Sequence, residues 1–158
     1  MGKADALGLH AVWGTDTALL ASGPAAVLRS TNRGATWSSL PSPSARQLWS
    51  LAGGALVTVS SSLPSVLRVS DDGGATWVDR TPPGARPFVG VPLRSSLWLL
   101  GGDATIYRSD DAGRSWSRLA GLAGFPAGIA ITGGWVTGNG SVIVTSQGTN
   151  AVWRWGVP

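Results

Sequence analysis

Eight aspartates, one histidine (His10), one tyrosine (Tyr107), one lysine (Lys3) and eleven arginines are the residues of this chain that could do acid–base, nucleophilic or anion-binding chemistry. Cysteine and glutamate are absent. That removes structural disulfides, thiolate nucleophiles, thiolate zinc and iron–sulfur sites together. Retaining glycoside hydrolysis needs two carboxylates about 5–5.5 Å apart, and among Asp5, Asp16, Asp79 and Asp103 the sequence places no such pair. His10 stands alone at a strand start and reads as a hydrogen-bonded surface group, not a base or ligand. A guanidinium can grip a carboxylate with two parallel hydrogen bonds. Arg29 and Arg108 each stand one residue before a repeated motif, and Arg68 stands one place earlier. Such an arginine either binds an anion or lays its aliphatic stem over a neighbouring sheet. The second reading is preferred, with Arg29 and Arg108 kept as candidate binding residues.

The elements that must position these groups repeat. Ser30-Thr-Asn-Arg-Gly-Ala-Thr-Trp37, Ser70-Asp-Asp-Gly-Gly-Ala-Thr-Trp77 and Ser109-Asp-Asp-Ala-Gly-Arg-Ser-Trp116 align without gaps, and Ser146-Gln-Gly-Thr-Asn-Ala-Val-Trp153 reads as a degenerate fourth copy. The Ser-to-Ser intervals are 40, 39 and 37 residues. Between copies lie short runs of β-branched and apolar residues bounded by Gly, Pro, Asn and Ser, which are strands. No stretch carries a sustained helical period with caps at both ends, so essentially no helix is expected. Four strands per repeat of about forty residues is the arithmetic of a β-propeller blade. The blades fall at about 8–41, 47–82, 87–121 and 126–157, in one domain spanning 1–158. They form either a closed four-blade ring or an open arc completed by a second copy; a β-sandwich would not require motif copies at constant intervals.

Each motif works as a hairpin clasp. Gly34, Gly74 and Gly113, with Asn150 in the fourth copy, occupy a place that needs positive φ. Asn32, Asp72 and Asp111 accept from turn amides in the manner of Asx turns. Trp37, Trp77, Trp116 and Trp153 then open the next strand and bury their rings. Calcium binding by Asp71/Asp72 or Asp110/Asp111 is the weaker reading, because the spaced acids and terminal Glu of a calcium loop are missing. No metal and no cofactor is expected.

The pattern Ser-x-Asp-x-Gly-x-Thr-Trp resembles the Asp-box, or BNR repeat, of sialidase-like propellers, sortilin-type receptors, some xyloglucanases and the photosystem II assembly-factor family. In those families the box is a structural hairpin away from the active site. The resemblance to sialidases would imply an arginine triad, a Tyr nucleophile paired with Glu, and an Asp acid/base. This chain has no Glu, lacks the early Arg-Ile-Pro motif, and has Tyr107 in the strand before the third box.

The remaining oddity is tryptophan, nine in 158 residues. Trp98 and Trp135 each lie 11 residues before a motif Ser, which makes both core residues of a second strand. Trp13 and Trp49 on first strands, with Trp155 near the C-terminus, are the candidates for an exposed binding surface. The net charge of +4 has no basic run behind it, so no nucleic-acid partner is expected. No signal-peptide core and no 18-residue apolar span is present in the chain, which reads as soluble without membrane insertion and with no compartment legible. The expected function is a non-catalytic binding or scaffold domain for a protein or glycan partner. The alternatives are a sialidase-like hydrolase, or a remnant retaining sugar binding, and an assembly factor of the photosystem II type.

Overall fold

The computed structural model describes residues 11–14, 17–23, 26–41, 45–60, 64–85, 87–93, 96–101, 105–121, 131–146 and 152–156. His10, Asn150, Asp5, Asp16 and Asp103 lie outside them. Fifteen strands and no helix occur among the described residues. They form four antiparallel meanders. The first is β1 (Ala11–Gly14), β2 (Leu19–Ser22), β3 (Val27–Ser30) and β4 (Ser38–Leu40); the second is β5 (Gln47–Ser50), β6 (Leu56–Val59), β7 (Leu67–Ser70) and β8 (Val78–Asp79). The third is β9 (Pro87–Leu93), β10 (Ser96–Gly101), β11 (Thr105–Ser109) and β12 (Ser117–Gly121); the fourth is β13 (Ile131–Val136), β14 (Val142–Ser146) and β15 (Val152–Trp155).

The chain divides into two compact units, Met1–Arg80 and Thr81–Pro158, each holding two sheets. In the first unit, Leu20 and Val27 of one sheet pack on Ala45, Leu48 and Leu56 of the other, flanked by Leu40 and Trp77. In the second, Val89, Val91, Trp98, Leu100 and Ile106 pack on Ile131, Val136, Val142 and Val144. A strand covered on both faces must be apolar throughout, not alternating. Hence Leu97, Trp98, Leu99 and Leu100 run consecutively along β10 and are all buried. Within each unit the first strands lie side by side, β1 by β5 and β9 by β13.

The fourth sheet departs from the frame expected from the sequence. That frame splits Gly128–Thr132 and Trp135–Thr137 into two strands and makes Ser146–Trp153 a fourth clasp. Instead Ile131–Val136 is one strand. The turn after it repeats the turn after β5. Leu51 N donates to Ala55 O at 2.8 Å and Gly54 N to Leu51 O at 3.0 Å; Thr137 N donates to Ser141 O and Gly140 N to Thr137 O, both at 2.8 Å. β13, β14 and β15 are therefore the first, second and third strands of their sheet. Trp155 stands opposite Val142 as Ser70 stands opposite Leu56, so Trp155 occupies the place of the motif serine. Ser146 closes a second strand and Trp153 lies inside a third, so neither belongs to a clasp. The Gly and acid missing from that copy were the residues that make the turn, and Thr137-Gly-Asn-Gly140 is the true punctuation.

Candidate functional site

In the three intact motifs the serine hydroxyl is the hub. Ser30, Ser70 and Ser109 are buried. Their Oγ atoms accept from the amides of Gly34, Gly74 and Gly113 at 2.8, 2.7 and 2.7 Å. Each donates to the side chain at the third position, Asn32, Asp72 or Asp111, at 3.0, 2.7 and 2.8 Å. That side chain accepts in turn from the amide of Thr36, Thr76 or Ser115 at 2.9, 2.9 and 2.8 Å. The Thr76 and Ser115 hydroxyls add a second bond of 2.6 Å to the carboxylate. Two consecutive left-handed residues close each turn, Arg33–Gly34, Gly73–Gly74 and Ala112–Gly113.

These bonds favour the charged carboxylates. The Thr76 hydroxyl and amide, then Ser70, hold Asp72 well below the usual carboxylate range; the Ser115 hydroxyl and amide, then Ser109, pull Asp111 down to about 2. A carboxyl whose folded pKa is depressed stabilises the fold above its unfolded value near 3.8 and loses that contribution as pH falls through the folded one. The third turn should therefore loosen between about pH 4 and pH 2, and the second over a window that reaches lower. The first, with Asn32, has no such titration. Asp72→Asn with Asp111→Asn should flatten the acid limb of a pH–stability curve read by urea unfolding; an unchanged limb would contradict this.

One row of directly opposed residues crosses each sheet. The rows are Trp13–Leu20–Arg29–Ser38 and Trp49–Val57–Val69–Val78 in the first unit. In the second they are Val91–Trp98–Arg108–Ser117 and Trp135–Ile143–Arg154. Each row has one tryptophan, on the first strand in three sheets and on the second in the third, where Val91 and Trp98 have exchanged places. Directly opposed Cβ atoms lie about 4.5–5.5 Å apart, so a ring from either strand fills the same space. Trp135, expected in the core, lies on a first strand at the place of Trp13 and Trp49 and is 66% exposed. The eleven-residue spacing misplaced it because its sheet is framed from a different turn.

The candidate arginines differ in their surroundings. Arg29 is half-buried and its Nη1 donates to the Gly73 carbonyl at 3.3 Å, joining the first sheet to the turn of the second. Arg108 is exposed. Its Nε and Nη2 meet Asp110 Oδ1 at 3.0 and 2.9 Å, and its guanidinium stands 5.5 Å from the Trp98 ring centre. Asp110 also accepts from Ser96 Oγ at 2.5 Å, and that hydroxyl first, then Arg108, holds its carboxyl below the usual range. Leu93 and the turn residues Gly138, Asn139 and Gly140 complete a groove of about 230 Å³ around this cluster. A larger cavity of about 420 Å³ is lined by Pro82, Pro83, Gly84, Tyr107, Trp116 and Arg118. Arg118 stands directly opposite Tyr107 on the neighbouring strand.

Of the ring candidates, Trp13 is 36% exposed and donates its indole N–H to Ser50 Oγ at 3.2 Å. Trp49 is buried and Trp155 packs half-buried on the core of the second unit. Trp49 therefore offers no open surface, and Trp155 only part of its ring. The sequence reading did not name Ser96, Arg118 or Arg154 and weighed Asp110 only as a calcium ligand; the signal for its pairing was its place two residues beyond Arg108.

No protein-family model and no curated protein matches this sequence. Solved structures do match. YCF48 from Cyanidioschyzon merolae superposes with a TM-score of 0.70 at 18% identity, covering 95% of this chain and 53% of its own. A structure of YCF48 bound to D1 peptide gives 0.62 at 14%, covering 89% and 48%. The GH74 xyloglucanase from Xanthomonas campestris gives 0.64 at 25%, covering 94% and 29%. The fold is that of a β-propeller. This chain spans about half the length of the YCF48 structures and under a third of the xyloglucanase, and its four sheets are propeller blades.

Proposed function

We propose that this propeller is a non-catalytic binding or scaffold module whose partner is a protein segment bearing a carboxylate beside apolar side chains. The observation that carries the reading is the chemistry of the open grooves. They set an arginine beside accessible apolar side chains, Arg108 beside Leu93 and Arg118 beside Pro83 and Trp116. Four aspartates among the described residues are meanwhile engaged in structure, Asp72 and Asp111 in their turns, Asp71 with Arg80, and Asp110 with Arg108 and Ser96. Arg118, and the Nη1 edge of Arg108 that Asp110 leaves over, supply donors for a carboxylate, and Trp116 and Pro83 supply apolar contact at low entropic cost. The YCF48 structure bound to D1 peptide supports a peptide as the class of partner.

The test is an array of peptides with free and amidated C-termini, run beside a glycan array and a screen for hydrolysis of sialosides and xyloglucan. Arg108→Ala and Arg118→Ala should each weaken the best peptide about ten- to a hundredfold, in line with a lost charge-assisted hydrogen bond. Turnover of any glycoside, or glycan binding without peptide binding, would overturn the reading.

A further inference from the structure

We infer that the open face of the fourth blade seats the first blade of a second copy of this chain, closing a two-copy ring. In the third blade the face carrying the Val91–Trp98–Arg108 row also carries Val89, Leu100 and Ile106, all 0–5% exposed under the fourth blade. Among the described residues, the corresponding face of the fourth blade carries exposed apolar side chains. Trp135 is 66% exposed and Val152 is 68% exposed, whereas Val27, Leu67 and Ile106, at the place of Val152 in the other blades, are each 0%. Thr145 and Arg154 on the same face are also exposed.

The cover this face fits is defined by the blade pair in the first unit. There Leu48 of β5, one residue before the row tryptophan, is 4% exposed and packs on Leu20 and Val27. Ile143 and Val152 are the counterparts of Leu20 and Val27 by register. Val12 is the counterpart of Leu48, one residue before Trp13, and is 71% exposed. A second copy thus offers Val12 to Ile143 and Val152 as Leu48 is offered to Leu20 and Val27. Arg154, at the place of Arg29, would reach the Arg33 carbonyl, the counterpart of Gly73. Two copies give eight blades, within the 4–8 of known propellers. The contact is head-to-tail and must close on itself, or it would grow into a filament.

Native mass spectrometry and light scattering of the 158-residue chain should give twice 16.1 kDa. Trp135→Asp and Val12→Asp, both at exposed sites, should keep the strand circular dichroism and give monomers. Mixing the two should restore dimer, since one seam of the mixed ring keeps both native residues. A 16.1 kDa mass at about 100 µM would overturn the proposal, whether the face stays bare or is covered from within the chain. A dimer indifferent to both variants, an open series of higher masses, or mixed variants that stay monomeric would also overturn it.

Discussion

Cutting Trp98 back to alanine should destabilise the chain by about 3–5 kcal/mol, the usual cost of deleting a large buried ring. The ring is 2% exposed and sits in the cluster that joins the third blade to the fourth, with Val91 beside it and Val142 and Val144 across from it. The exchange of Val91 and Trp98 makes the sharper test. Trp98→Val leaves a cavity, and Val91→Trp alone overfills the site by about 1–3 kcal/mol. The double variant restores the arrangement of the other three rows, a ring on the first strand opposite an aliphatic residue on the second. It should recover more than half of the loss from Trp98→Val, read as a coupling energy in urea unfolding. Additive losses would mean that the two positions do not share one space.

Gly74→Ala should be nearly as damaging. Gly74 has φ +99°, where an L side chain is strained, and a Cβ there would overlap Leu40 Cδ1 of the first blade. Backbone strain of about 1–2 kcal/mol and overpacking of about 1–3 kcal/mol add to roughly 2–5 kcal/mol. The thermal midpoint should fall on the order of 10 °C for a chain of this length. Gly34→Ala is the internal control. Its φ is +84° but its nearest neighbour, Leu19 Cδ1, is 3.6 Å away, so only the backbone strain remains, about 1–2 kcal/mol. Equal losses at the two glycines would remove the contact between blades from the explanation.

Most of the fold was legible because turn chemistry is local. The hydroxyl of Ser70 and the carboxylate of Asp72 bond only within their own eight residues, so their spacing survives in the sequence. The first three blades follow from those clasps, and their strands fall within a few residues of the expected runs. The fourth blade was misframed because serine and tryptophan alone do not make the clasp. Its true marker, the turn from Thr137 to Ser141, resembles any Gly–Asn–Gly loop until it is set against Leu51 to Ala55. Burial of single rings was not legible. Trp49 and Trp135 hold the same register position, and one is 4% exposed and the other 66%, because what covers a sheet face is a property of the neighbour. The candidate site was half visible. Arg108 was marked by its place before the motif and Asp110 lies two residues on, but Ser96 and Asn139 come to them from two separate segments.

Nuclear Overhauser contacts of Gly134 test the blade framing most directly, since every face assignment depends on β13 being a first strand. A Cβ at Gly134 would meet side-chain atoms of Leu100, Val89 and Val91, so its α-protons should show strong cross-peaks to the methyls of those three residues. Cross-peaks from Gly134 to Ile106 and Tyr107 of β11, without those to Val89 and Val91, would place β13 further along its sheet and contradict the framing.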